Sequence, residues 1–410
     1  MKVVGLLVVL SLLTGCVEEV RLFDVELRVR VADGVDPAVV LENDVPDDDD
    51  RLGLSFNYFP DVGDPDGGDP RSGTGLPFDP AATSARFELL AFLDGVPQAR
   101  ATSAVLPLPD DEGAVLSVPL LLSTVDVVGG LDPLPPEIGA DACFSSDEQG
   151  RVFVVGGSTS NQSGYVLDDS FRVLALSELR FAGASRPGCV AAGGSVVVVG
   201  GCQAGALAEI HEIDADRDRR RVLVPAAEPC GAFAAKSLKD YWLFATNRVD
   251  LLSDEGEVKG STAGVDVVDV EVLLGGNALV LDNKNSLFLY QRNDVETPIR
   301  LGEVQAIGRR FDDVVALSVD NQLLLVAGVA LTPLRTVSPF AVAATSITVL
   351  SDDTLVAIVD GDLVVDPVEG EVVTLPLPRP RTHVSAILGD TVILAGGEGL
   401  DSVSVQAPSF

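Results

Sequence analysis

The 410-residue chain is short of the residues that carry most enzymatic and nucleic-acid chemistry. It has 28 Lys and Arg, only five of them Lys, against 62 Asp and Glu, for a formal net charge of −34. Nucleic-acid binding needs basic side chains to neutralise phosphates, so no such partner is expected. Two histidines, His211 and His383, supply little for proton transfer or zinc chemistry. No Gly-Lys pair occurs, which removes a P-loop, and the Gly200-Gly201-Cys202-Gln203-Ala204-Gly205 stretch opens no helical pattern, so no nucleotide is expected. There is no Gly-x-Ser-x-Gly elbow and no Cys-x-x-Cys, and His211-Glu212-Ile213-Asp214-Ala215 lacks the second histidine of a zinc-protease helix. Beyond the first residues no apolar run approaches the ~20 residues that cross a bilayer. No catalytic residue and no cofactor are assigned on these grounds.

What is present begins at the N-terminus. In MKVVGLLVVLSLLTGCVEE a lysine precedes an apolar run, Val3 to Leu13, which stops at Leu13-Thr14-Gly15-Cys16. A charged start, a short apolar core and small residues are the grammar of a secretory signal. The tetrad resembles the lipobox of bacterial lipoproteins. That resemblance implies removal of residues 1–15, with Cys16 as the lipid-bearing first residue and a membrane attachment through its acyl chains. Val17 stands where an inner-membrane retention aspartate would stand, which favours the outer membrane or cell surface over the inner membrane.

Residues 16–128 read as a small β-domain. RLFDVELRVRV (21–31) alternates, with Phe23, Val25, Leu27, Val29 and Val31 on one face, as a half-buried strand does. Further strand patterns at 51–59, 87–95, 100–108 and 114–123, separated by Pro, Gly and Asp turns, suggest an immunoglobulin-like β-sandwich. Within it, DVGDPDGGDP brings Asp61, Asp64, Asp66 and Asp69 close in sequence. Such oxygen-rich loops suit calcium, although the order is not that of an EF-hand, and a solvated acidic loop explains the same residues. The Pro- and Gly-rich 129–139 marks a linker.

From 140 to the end one pattern recurs. RVFVVGG ends at Gly157, SVVVVGG at Gly201 and TVILAGG at Gly397, each after a tight turn and an earlier apolar strand. Four degenerate copies lie between them, with turns ending at Asp240, Asn277, Asn321 and Asp353. Together with Gly150, Gly194 and Asp390 these give a mean spacing of about 40 residues, the period of a propeller blade. The Val-rich strands are placed as inner strands of their blades. The expected fold is all-β: a seven-bladed β-propeller, with six blades as the alternative, behind the sandwich. The last copy shows three strands, so a segment near Val125 to Gly129 is expected to supply its fourth.

RPRTHVSAILGDTVILAGG (379–397), SRPGCVAAGGSVVVVGG (185–201) and RVFVVGGSTSNQSGYVLDDSFRVLAL (151–176) resemble Kelch repeats, whose strands close in Gly-Gly. The usual later Tyr and Trp are mostly missing, and Trp242 is the single tryptophan. The resemblance implies a Kelch-like propeller, with His383 as a packed residue of its strand. Cys143, Cys189, Cys202 and Cys230 are an even set in a chain read as exported, so two disulfides are expected, in any of three pairings. The charged run DADRDRRRV (214–222) reads as a solvated hairpin. The function expected is a non-enzymatic binding scaffold for a protein or glycan, with an enzyme built on an acidic central site as the alternative.

Overall fold

A computed structural model gives the architecture. It describes the strands named below with some flanking residues, and residues 233–377 continuously except positions 246, 274, 311–312, 341, 351–352 and 369. The described residues form 34 strands and no helix. The signal, Cys16, Asp64, Asp66, Asp69, Cys202 and Cys230 lie outside them. Two compact units divide the chain, the first running to Gly129 and the second holding Gly130–Ile387 and Val392–Asp401.

The first unit contains β1 (Asp24–Val31), β2 (Leu52–Asp61), β3 (Arg71–Ser72), β4 (Ser84–Leu93), β5 (Val96–Thr102), β6 (Leu106–Pro107) and β7 (Val115–Thr124). Period-2 alternation puts Ala85, Phe87, Leu89 and Ala91 of β4 on one face, joined in a single core by Ala99, Ala101, Leu116, Val118, Leu120 and Leu122. Among the described residues the strands do not separate into the two sheets of an immunoglobulin-like sandwich. They run as one seven-stranded sheet, β1-β7-β5-β4-β2-β3 with β6 beside β4. The join that merges them is short, Ala99 opposite Thr124 and Arg100 opposite Ser123. The pairing of β1 with β7 is parallel over eight residues. Strand patterns alone are blind to both features.

The second unit is a series of four-stranded antiparallel sheets. Its strands are β8 (Gly129–Pro133), β9 (Cys143–Ser146), β10 (Val152–Ser158), β11 (Asn161–Leu167), β12 (Val173–Leu176), β13 (Gly188–Ala192), β14 (Ser195–Val199), β15 (Ile210–Asp214) and β16 (Arg219–Leu223). They continue with β17 (Phe233–Ser237), β18 (Asp240–Ala245), β19 (Arg248–Leu252), β20 (Val258–Ala263), β21 (Val267–Val272), β22 (Ala278–Asp282), β23 (Ser286–Gln291) and β24 (Asp294–Arg310). The rest are β25 (Asp313–Ser318), β26 (Gln322–Ala327), β27 (Ala330–Thr336), β28 (Ala344–Val349), β29 (Leu355–Val359), β30 (Asp362–Asp366), β31 (Val373–Leu375), β32 (His383–Ile387), β33 (Thr391–Gly396) and β34 (Gly399–Ser404).

The sheets β9–β12, β13–β16 and β17–β20 each keep chain order from first to fourth strand. β21–β24, β24–β27 and β28–β31 are three more such groups. They fuse into one eleven-stranded sheet because the 17-residue β24 serves two of them and then pairs in parallel with β28 at Gly308–Ile347 and Arg309–Thr348. The last sheet is β32-β33-β34-β8. Its fourth strand therefore begins at Gly129, the last residue of the segment expected to supply it, and takes the first five residues of the expected linker. No described sheet closes on itself.

Packing is face to face in chain order. Phe153 and Val155 of the first group share a core with Val196 and Ile213 of the second. Val197, on the other face of β14, packs with Tyr241 and Leu243 of the third group. Trp242 and Phe244 turn to Val270, Val280 and Tyr290 of the fourth. Leu279, Leu281 and Leu289 meet Ile307, Val314 and Leu324 of the fifth, and Val315 and Leu317 meet Ile347, Val349 and Ala357 of the sixth. β32 lies against both β28 and β9. A strand with neighbours on both faces has no solvent side, which is why β14, β18 and β29 read as unbroken apolar runs.

The Val-Val-Gly-Gly strands β10, β14 and β33 are the second strands of their sheets, each after the earlier strand that the repeat pattern places before it. The hairpin at Asn321 is reassigned, because it joins β25 to β26, the second and third strands of its group. The first and second strands there meet between Arg310 and Asp313. β24 has a glycine at its centre, Gly302, but makes no turn there. It passes from one group to the next through a register irregularity at Val304/Ala306, without leaving the extended conformation.

Candidate functional site

The first strands of six groups line one cavity. β9 contributes Cys143 to Ser146, β13 Cys189 and Val190, β17 Phe233, β21 Asp269 to Glu271, β24 Ile307 to Arg309, and β28 Ser346 to Thr348. The space is narrow, about 100 Å³, room for a few waters. The convergence follows from the fold, since each group presents the edge of its first strand to the same axis.

The wall is tied together at several points. Cys143 and Cys189 form a disulfide between the first strands of the first two groups, Cα atoms 5.8 Å apart. The Ala191 amide donates to Ser145 Oγ at 2.9 Å, linking the same strands. Opposite, the Thr348 hydroxyl donates to the Arg309 carbonyl at 3.1 Å. Gly308 sits so close to β28 that a Cβ there would fall 2.0 Å from the Ile347 carbonyl oxygen, a position that only glycine fits.

Three ionisable groups give the cavity its chemistry. Arg309 Nη2 pairs with Glu271 Oε2 at 2.8 Å and also donates to the Val272 carbonyl at 3.4 Å. Asp269 Oδ1 accepts from the Val270 amide at 2.9 Å. Burial pushes the Asp269 carboxyl up to about 7, the charge of Glu271 adds to the rise, and the Val270 amide opposes it. A carboxyl that titrates near neutrality can take or give a proton.

None of these three residues was assigned from sequence, where no Asp or Glu stood out. The signal was there: in Val267–Val272 the acids fall at i and i+2 within an apolar strand, so both face the same side.

Of the four cysteines expected to pair, Cys143 and Cys189 are joined, while Cys202 and Cys230 lie outside the described residues. Asp61 is the last residue of β2, and the other three aspartates of its loop, with Cys16, are not described. His211 is buried on the third strand of its sheet, between Val198 and Val222, whereas His383 opens the first strand of another. Among the described residues no three His, Cys, Asp or Glu are grouped to hold a metal ion. No described helix is long and apolar enough to cross a membrane. The charged run at 214–222 includes the β15–β16 hairpin, with Asp214 opposite Arg219.

No protein-family model matches the chain, and no curated protein matches it. Among solved structures it is similar to the extracellular domain of BT4673 from B. thetaiotaomicron, at 12% identity and a TM-score of 0.47, over 67% of this chain and 39% of that one. It is also similar to the WD40 β-propeller domain of Doa1, at 13% identity and a TM-score of 0.45, over 68% and 95% of the two chains. BamB from Moraxella catarrhalis matches at 13% identity and a TM-score of 0.43, over 63% and 80%. This chain thus spans about two fifths of the length of the first of these.

Proposed function

We propose that the chain is an exported, lipid-anchored binding scaffold of the cell envelope, built on a seven-bladed Kelch-like propeller. The support for seven blades is the series of six four-stranded groups followed by the sheet β32-β33-β34-β8. Attachment through Cys16 would hold the scaffold at the outer membrane or cell surface, with its loops free to meet a protein or glycan.

The observation that carries the scaffold reading is the size of the axial cavity. At about 100 Å³ it is well below the roughly 300–1,000 Å³ of small-molecule sites. Disulfide, ion pair and close backbone contact are spent there on holding blades together. Crosslinking in native membranes followed by recovery of the tagged full chain tests the reading. A reproducible protein or glycan partner is expected, and a lone chain that cleaves glycans overturns it.

One observation favours the second reading, an enzyme with an acidic central site. Burial and the charge of Glu271 push the Asp269 carboxyl up to about 7, where a carboxyl can exchange a proton with a substrate. On that reading glycan hydrolysis by the full chain is abolished by Asp269→Asn. Its absence from the unmodified protein across a panel of oligosaccharides removes the enzyme.

A further inference from the structure

A second concavity lies away from the axis, between the third and fourth blades. It encloses about 460 Å³ and is lined by Asp240, Leu251, Lys259, Gly260 and the run Arg292 to Glu296. Asp240 at the start of β18, with β19 and β20, faces the β23–β24 turn and the first residues of β24, so two adjacent blades build it.

Its floor is rigid. Asp240, whose side chain is 4% exposed, receives Lys259 Nζ on Oδ1 at 2.5 Å and Arg292 Nε and Nη2 on Oδ2 at 2.8 and 2.7 Å. Burial works to raise the Asp240 carboxyl, and its bonds to Lys259 and Arg292 outweigh that and hold it below its ordinary value. The Arg292 amide donates to Asn277 Oδ1 at 3.1 Å, and the Thr262 hydroxyl donates to the Val295 carbonyl. A Cβ on Gly260 would come within 3.1 Å of Val295 Cβ, so the two blades approach closely below the opening. Groups fixed before a ligand arrives lose little freedom on binding.

The rim decides the ligand. Asn293, Asp294 and Glu296 are exposed, and Lys259 keeps 47% of its side chain in solvent. Leu251 and Val295 are the only sizeable apolar side chains in the lining, and both are buried, so there is no pocket for the apolar anchors on which protein hot spots depend. A ligand of one charge would meet one sign of side chain, whereas here carboxylates, ammonium, guanidinium and amide alternate. Hydroxyl groups each donate and accept, and they match such an alternation. The volume falls in the range of small-ligand sites.

We propose that this inter-blade groove binds the hydroxyl groups of a neutral glycan. The proposal rests on the scaffold reading and names the ligand class for one of its surfaces.

The test uses the full chain on an immobilised panel of neutral oligosaccharides, with polyglutamate and polylysine as charged controls. The variants are Asn293→Ala with Glu296→Gln at the rim, and Glu303→Gln on an exposed pair with Arg300 as a surface control. Retention on at least one neutral oligosaccharide is expected, reduced at least tenfold by the rim variant and unchanged by Glu303→Gln. The proposal is overturned by retention on charged polymers alone, by no retention, or by retention that the rim variant leaves intact or that Glu303→Gln equally reduces. A protein partner recovered by crosslinking beside a negative panel would end the glycan proposal and leave the scaffold reading standing.

Discussion

At the scale of single residues the axis leaves little room for change. Gly308 is held where a Cβ would overlap the Ile347 carbonyl oxygen, and two backbones paired in parallel have nowhere to go. Gly308→Ala is expected to cost roughly 1–3 kcal/mol, the range for overpacking, and to lower the melting temperature. Gly302→Ala serves as the control, since its nearest contact is the rotatable Leu331 Cδ1 at 3.1 Å. Equal melting of the two variants would remove the special status of Gly308. Asp269 makes a different prediction. Its carboxyl titrates near 7 when folded against 3.8 as its ordinary value. Between those values the folded state holds the extra proton, so this residue's contribution to stability falls as pH rises through that window and is fully lost above it. Asp269→Asn is always neutral. The variant should match the parent near pH 4, gain on it up to about pH 7 and keep a constant advantage above that, with Glu271 and Arg309 unchanged. Melting curves across pH that stay parallel would contradict the assignment.

At the scale of elements the sequence was legible wherever a turn was punctuated by Gly, Asn or Asp. The hairpins β13–β14, β21–β22 and β28–β29 end where those residues predict, and positive φ at Asn321, Asp353 and Asp360 shows why the turns use them. It was illegible where the chain changes sheet without turning, as β24 does at Val304. Placing the first-to-second-strand step of that group at Arg310–Asp313 and not at Asn321 brings its spacing closer to that of its neighbours. Pairing partners were also hidden, since strand patterns do not say that β1 lies parallel to β7. β8 was read one step early because Gly129–Pro133, with two glycines and a proline, looks like a linker. Its place beside β34 predicts that the double substitution Gly130→Pro, Leu131→Pro removes at least one ladder bond, because adjacent amides point to opposite sides. Melting temperature should drop for the whole second unit, and a variant that melts like its parent would show that β8 is dispensable.

At the scale of the whole molecule, 62 acidic residues on one chain repel each other in the folded state more than in an expanded one. Buried and half-buried pairs such as Arg100–Glu88, Arg151–Asp147 and Arg309–Glu271 absorb part of that charge locally. A covalent tie resists the rest. The Cys143–Cys189 disulfide closes a 46-residue separation between the first strands of the first two blades, and loop closure of that length is worth about 4 kcal/mol in the unfolded chain. Sequence alone left three pairings open because it does not say which first strands are neighbours. Once that bond is formed, two disulfides require Cys202 with Cys230. Peptide mapping without reduction should recover both linked pairs. Cys143→Ser, Cys189→Ser should melt several degrees below the parent, and the gap should widen at low salt, where the acidic self-repulsion is least screened. A gap that is independent of salt would mean that the disulfide braces the axis locally and does not offset the charge of the whole.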